Sequence, residues 1–230
     1  ELLEEQRVGG ILVSPVDTAG GLLRKIRRRG TPVVLVDRVS RSRGECCAAV
    51  DDIMGGDLAV SHLLAAGHQR LAFVGGPFET RQVQERYDGG VAALARAGLS
   101  RDSLTVVTTP LLTLEAGGRA GEQIAALPRS KRPTAVFCAN DLLALGLLRE
   151  MARRRIRVPE DLAIVGYDDI GFAAGAAVPL SSVRQPSAEL GSMAARLVIE
   201  EARSLRQHRH RQVVFKPELV IRASSDPGAV

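Results

Sequence analysis

A chain of 230 residues, 45% hydrophobic and 25% charged, suits one large domain or two small lobes and excludes wholesale disorder. Its longest apolar runs, such as 33–36 and 135–139, fall far short of the ~20 residues that span a bilayer, and nothing near the start resembles a signal peptide. The formal charge is +5, but the basic residues lie in separate clusters at 24–29, 153–155 and 206–211. Each cluster comes late in, or just after, a helix-like segment, where cations complement the helix dipole; this favours a solvated surface over a nucleic-acid interface.

In chain order the rhythm is strand, helix, strand, helix. Residues 10–14 form a short apolar run ending at Pro15. Asp17 or Thr18 caps a helix through Arg29, which Gly30 stops. Thr31-Pro32 opens a strand at 33–36, and a short run follows at 48–50. A helix at 56–66 ends at Gly67, and a strand at 70–74 runs into Gly75-Gly76-Pro77. A long helix at 80–97 ends at Gly98. Strands are predicted at 104–108, 134–138 and 162–165, with helices at 116–127 and 141–154 between them. Residues 181–184 are extended, 187–205 form a helix, and 213–215 with 218–221 read as a hairpin around Lys216-Pro217.

Runs such as Val-Val-Leu-Val and Ala-Val-Phe-Cys are apolar throughout rather than alternating, so they need cover on both faces. Alternation with helices then gives parallel strands and right-handed crossovers, an α/β doubly wound class. No internal repeat of 20–50 residues is evident.

In an open parallel sheet, ligands bind beyond the carboxyl ends of the strands. The residues following successive strands are Ser14-Pro15, Asp37-Arg38, Gly75-Gly76-Pro77, Ala139-Asn140-Asp141 and Gly166-Tyr167-Asp168-Asp169. Arg86 lies on the helix after the third of these. Carboxylate, amide, hydroxyl and guanidinium groups suit a neutral polyhydroxy ligand. Each has a plainer reading: Asn140 as a helix cap, Asp168-Asp169 as a turn, Asp37-Arg38 as a local ion pair, and Arg86 as a partner of Glu85 and Asp88. No nucleotide, phosphate-loop or nucleophile-elbow motif is present, so neither catalysis nor a cofactor is expected. Cys46, Cys47 and Cys138 show no metal spacing, and His62, His68, His208 and His210 are expected to form no cluster with them; no metal site is expected.

The chain also resembles a known family. Residues 52–77 read D-I-M-G-G-D-L-A-V-S-H-L-L-A-A-G-H-Q-R-L-A-F-V-G-G-P, followed by Glu85-Arg86-Tyr87-Asp88-Gly89. Residues 133–146 read P-T-A-V-F-C-A-N-D-L-L-A-L-G. Then come Val158-Pro159-Glu160-Asp161, Val165-Gly166-Tyr167-Asp168-Asp169, P-L-S-S-V-R-Q-P at 179–186 and P-E-L-V-I-R-A-S at 217–224. In this order they resemble the effector-binding core of the LacI/GalR transcription regulators, from Leu2 to Ser225.

The resemblance implies a type I periplasmic-binding-protein-like fold of two Rossmann-like lobes with parallel sheets. Residues 1–50 and 186–214 would form the first lobe, and 51–185 and 215–230 the second. Crossovers would fall near 50–52, 184–185 and 215–216, with a small ligand in the cleft between the lobes. The implied ligand groups are Asp37, Arg86, Asn140, Asp168 and Gln185, with Ser14 as a further member; Gln185 comes from the resemblance alone.

The start at Glu1, without methionine, points to a fragment with an incomplete first lobe, lacking the helix-turn-helix head and hinge. Two departures from the family are visible. Asp52 stands where asparagine is frequent, and 114–117 offer no aromatic to stack on a ligand. The expected partners are a small effector, a sugar in preference to a purine, a second copy in a homodimer, and operator DNA through the missing head. A cytoplasmic location and no membrane contact are expected. A solute-binding protein of a sugar transporter shares the fold, but unpaired thiols fit an oxidising compartment poorly.

Overall fold

The computed structural model describes residues 8–15, 20–40, 42–204, 207–226 and 228. In chain order the elements are β1 (Ile11–Val13), α1 (Gly20–Arg28), β2 (Val33–Val36), β3 (Cys47–Val50), α2 (Asp52–Ala65), β4 (Leu71–Gly75) and α3 (Arg81–Arg96). There follow β5 (Leu104–Thr108), α4 (Leu114–Ala126), β6 (Ala135–Cys138), α5 (Asp141–Arg153), β7 (Ala163–Asp168), a short α6 (Gly171–Ala174) and β8 (Ser181–Arg184). The chain closes with α7 (Ser187–Arg203), β9 (Gln212–Phe215) and β10 (Glu218–Val220). The expected cap of the first helix at Asp17 or Thr18 lies outside the described residues.

The chain forms two compact units, residues 1–51 with 186–216 and residues 52–185 with 217–230. The smaller unit has a parallel four-stranded sheet in the order β1-β2-β3-β9. Its two inner strands are buried on both faces, as their unbroken apolar runs require. Val33, Leu35 and Cys47 pack with Leu23 and Ile26 of α1. Val34, Ala48 and Val50 turn the other way, onto Leu190, Ala194 and Leu197 of α7. Adjacent Cys46 and Cys47 thereby belong to opposite faces.

The larger unit has a six-stranded sheet in the order β10-β8-β7-β6-β4-β5, all parallel except β10. Phe73, Phe137 and Tyr167 are the bulkiest wholly buried side chains of this core. The step from β4 to β5 runs one way along the sheet and the steps from β5 to β6 and β7 run the other. Right-handed crossovers therefore put α3 on one face and α4 with α5 on the other. Beyond β10 the chain is held by buried serines. Ser181 Oγ donates to Arg222 O at 2.8 Å, Ser224 Oγ to Ile164 O at 2.6 Å, and Ser225 Oγ to Ser181 Oγ at 2.6 Å.

Two expectations are corrected. Residues 213–215 and 218–221 do not form a hairpin: β9 pairs with β3 in one unit, and β10 pairs with β8 in the other. Pro217 fits a passage between sheets, since it has no N–H to give to a hairpin ladder. The helix expected from Gly56 begins at Asp52. Gly55 and Gly56 look like a start signal but lie inside α2, where neighbouring groups leave no room for a side chain. A Cβ on Gly56 would sit 1.9 Å from Arg86 O, and one on Gly55 would sit 2.4 Å from the Tyr167 hydroxyl.

Candidate functional site

Strand order in the larger sheet reverses between β4 and β6, and the carboxyl edge there is where an open α/β sheet leaves a crevice. Arg86, one turn into α3, reaches that edge. Its Nε donates to Asp52 Oδ1 at 2.8 Å and its Nη1 to the carbonyl of Ala139, just past β6, at 2.7 Å. The guanidinium carbon lies 3.6 Å from the centre of the Tyr167 ring, a cation–π stack. Burial works against the charge on Arg86, but Asp52, Tyr167 and Asp168 outweigh it and hold the group more basic than a free arginine. The sequence offered Glu85 and Asp88 as its partners; the structure instead gives it Asp52. The residue that departs from the family pattern thus supplies the buried counter-charge.

Asp168 ends β7 beside this platform. Its Oδ1 accepts from Gln185 Nε2 at 2.6 Å and lies 3.8 Å from Arg86 Nη1. The side chain keeps 31% of its surface open, against 5% for Arg86. Burial pushes its carboxyl above the ordinary value, while Arg86 and Gln185 pull it down. Its backbone is left-handed, with φ 105°, and so is that of Asp169, with φ 52°. Such strain in consecutive non-glycine residues persists where surrounding contacts fix it, and it gathers at ligand sites. Asp169 has a different task, accepting from Arg184 Nε and Arg222 Nη1, each at 2.7 Å.

Asn140 caps α5: its Oδ1 accepts from Leu143 N at 3.0 Å while its Nδ2 donates to Leu112 O at 3.2 Å. The plainer reading of this residue as a cap therefore holds, and its amide is engaged at both ends. Asp141, next to it, is wholly buried. It accepts from Ser182 Oγ at 2.6 Å and from Ile170 N at 2.8 Å, so it ties α5 to β8 and to the turn after β7. Burial pushes its pKa up to about 7, despite those two bonds. A Cβ at Gly166 would meet its Oδ1 at 2.1 Å, which is why β7 carries glycine there. Thr109, just past β5, has a buried hydroxyl without a hydrogen-bond partner among the described residues. Past the ends of the strands, Leu111, Leu142 and Phe172 are exposed, Phe172 at 78%.

The structure thus brings Arg86, Asp168 and Gln185 together, with Asn140 following the carbonyl that Arg86 engages. Asp52 and Tyr167 belong with them, and Thr109 lies further along the same sheet edge, beside Gly75 and Gly76. Sequence reasoning missed their roles, although Tyr167 precedes an expected ligand residue and Asp52 was visible as a departure. Ser14 and Asp37 belong to the smaller unit, at the carboxyl ends of neighbouring β1 and β2. Asp37 has φ 57°, and Arg38 Nη1 reaches Pro15 O at 3.3 Å, joining the two strand ends. The expectation that the histidines form no cluster with the cysteines fails: Cys46, His208 and His210 meet in the smaller unit.

A model of the periplasmic binding protein-like domain matches residues 60–225. The transcriptional regulator MalR of Streptomyces coelicolor is 35% identical over 99% of this chain and 68% of its own length. The transcriptional repressor PurR of Photobacterium profundum is 31% identical over 97% of this chain and 66% of its own. The chain thus spans about two thirds of the length of these curated relatives. Among solved structures, a ribose-bound LacI-family regulator from Enterococcus faecium superposes with a TM-score of 0.88 at 27% identity, covering 98% of this chain and 82% of that one. The regulator CelR in complex with cellobiose gives 0.86 at 30% identity, covering 97% and 68%. With the two-sheet architecture and this similarity along its length, the chain belongs to the LacI/GalR family of transcription regulators and makes up the effector-binding core.

Proposed function

We infer that this core binds a small polyhydroxylated effector, a sugar in preference to a purine, with Asp168 as its principal acceptor. Gln185, Asn140 and Arg86 complete the polar set in the larger unit. Asp168 carries this reading. It is a carboxylate held from behind by Gln185 and Arg86, left partly open, and set on a strained backbone. An ionised carboxylate only accepts, which suits a ligand rich in hydroxyl donors. Thr109 offers a buried hydroxyl on the same sheet edge, and Phe172 an exposed ring face of the kind that packs on a sugar's C–H surface. The ribose and cellobiose named for two relatives point to the same ligand class.

In the regulator to which this core belongs, effector binding biases two arrangements of the protein, and operator binding through a helix-turn-helix head responds. A homodimer in the cytoplasm is the natural setting, and no helix among the described residues is long and apolar enough to cross a membrane.

Calorimetry with ribose, cellobiose, maltose, hypoxanthine and guanine tests the reading. One sugar should bind saturably. Asp168→Asn should weaken it by about 1–3 kcal/mol, because asparagine tolerates the left-handed backbone but cannot accept on both atoms. Equal affinity in Asp168→Asn would move the site elsewhere, and saturable binding of a purine alone would overturn the ligand class. Asp168 is the better probe than Arg86, whose removal would leave the Asp52 carboxylate buried without its counter-charge.

A further inference from the structure

The smaller unit holds a second cluster of chemically active side chains, at the amino ends of its strands. Cys46 immediately precedes β3, and His208 and His210 precede β9, the parallel neighbour of β3. Glu201 lies in the last turn of α7, which packs on β2 and β3. In a parallel α/β unit the helix ends where the strands begin, so the topology delivers all four to one place. One ligand atom from each residue lies within 4.8 Å of the other three.

We propose that Cys46, Glu201, His208 and His210 bind a divalent transition metal ion, zinc being the best match, through one thiolate, one carboxylate and two imidazoles. Cys46 Sγ lies 3.1 Å from His208 Nε2 and 3.7 Å from His210 Nδ1. A tetrahedron with metal–sulfur bonds of ~2.3 Å and metal–nitrogen bonds of ~2.0 Å has sulfur–nitrogen edges of about 3.5 Å, so these distances bracket the required value. The two rings stand nearly perpendicular, at 78°, so both nitrogens reach toward the same sulfur without stacking.

A second observation points the same way. Glu201 is only 7% exposed, and its Oε2 is buried with no hydrogen-bond partner among the described residues. A carboxylate oxygen left so is costly, and a cation beside it removes the cost. The arginine just before β9 does not serve: the Arg211 guanidinium pairs with Glu200 instead. Its backbone N–H points at Cys46 Sγ, at 3.4 Å, the kind of outer contact that steadies a ligating thiolate. Burial raises the pKa of the Cys46 thiol, so metal capture would displace its proton. One thiolate and one carboxylate then balance the two charges of the ion. Cys46 and Glu201 are buried, His208 is half-buried and His210 is exposed, which leaves an entry path on the histidine side. Mixed sulfur, nitrogen and oxygen donors in a four-fold arrangement suit zinc rather than magnesium or calcium.

Titration of the purified chain with cobalt(II) tests this directly. A tetrahedral site with one thiolate gives intense visible bands and a sulfur-to-cobalt charge-transfer band, and zinc should displace both at one equivalent per chain. Cys46→Ser should abolish the charge-transfer band. The double variant His208→Ala/His210→Ala, in a segment outside the helices and strands, should lower cobalt affinity by on the order of 100-fold or more while leaving the fold intact, so it decides the matter even if Cys46→Ser is poorly folded. No charge-transfer band with the wild-type chain, or undiminished affinity in the double histidine variant, would overturn the proposal.

Discussion

Asp141 sits in the middle of a polar knot rather than at a ligand, and its proton is the part of that knot most easily measured. Its pKa is raised by burial from 3.8 to about 7. Between those values the folded chain holds a proton that the unfolded chain has released, so this group's contribution to stability falls as pH rises from about 4 to about 7. The loss should be on the order of a few kcal/mol, and Asp141→Asn should remove it. Urea unfolding of both proteins across that range checks this: the gap between them should move steadily in favour of the variant as pH rises. A gap that does not change with pH would mean that Asp141 stays ionised throughout. Of the residues at this edge, Arg86, Asn140 and Asp168 were legible because they follow strands or match a family pattern. Asp141 was legible as a residue after a strand and at a helix start, but not as the centre of this knot, because its partners Ser182 and Ile170 are about 30 to 40 positions away and no local spacing announces them.

At the scale of elements, two helix pairs share one device. In α2 and α3, a Cβ on Gly56 would meet Arg86 O at 1.9 Å and one on Gly89 would meet Ile53 O at 2.0 Å. In α4 and α5, Gly117 faces Leu143 O at 2.1 Å and Gly146 faces Leu114 O at 2.0 Å. Each glycine faces the carbonyl three residues before its opposite number, so the contact is reciprocal in both pairs. Glycine in a helix interior costs about 1 kcal/mol relative to alanine. Here the cost is outweighed by backbones packed in direct contact. Gly56→Ala should therefore destabilise the chain by about 3 kcal/mol or more, as for overpacking against rigid backbone. Gly118→Ala, whose Cβ would find nothing nearer than 3.8 Å, should be neutral or stabilise by up to about 1 kcal/mol. Thermal melts of the two variants make the comparison. The reading of the chain by breakers took Gly56 for a helix start because a glycine that makes room looks the same in sequence as one that ends a helix. The apolar runs carried no such ambiguity, and the buried strands at 33–36 and 135–138 agree with the reading to within a residue.

Across the whole molecule, the two units differ in how much apolar surface they enclose. The larger unit has one continuous core built around Phe73, Phe137 and Tyr167, whereas the smaller has two thin clusters on either face of a four-stranded sheet. Local opening should therefore cost less in the smaller unit. Native-state hydrogen exchange should find the best-protected amides in β4, β6 and β7, with β2 and β3 exchanging at lower free energy; equal protection of the two sheets would contradict this. The α/β class and the parallel strands were legible from unbroken apolar runs, because burial on both faces leaves that mark in sequence. The partners of β9 and β10 were not, because strand pairing depends on where the chain travels after Lys216, and two short extended segments beside a proline look alike whether they pair with each other or apart.

The reciprocal glycine contacts also bear on movement. Two helices whose backbones touch have no layer of side chains between them to slide or repack, so each pair is a joint without play. One such joint lies on each face of the larger sheet. A disturbance at Asp168 or Arg86 therefore has little slack to be absorbed in, and the larger unit is built to behave as a single stiff body.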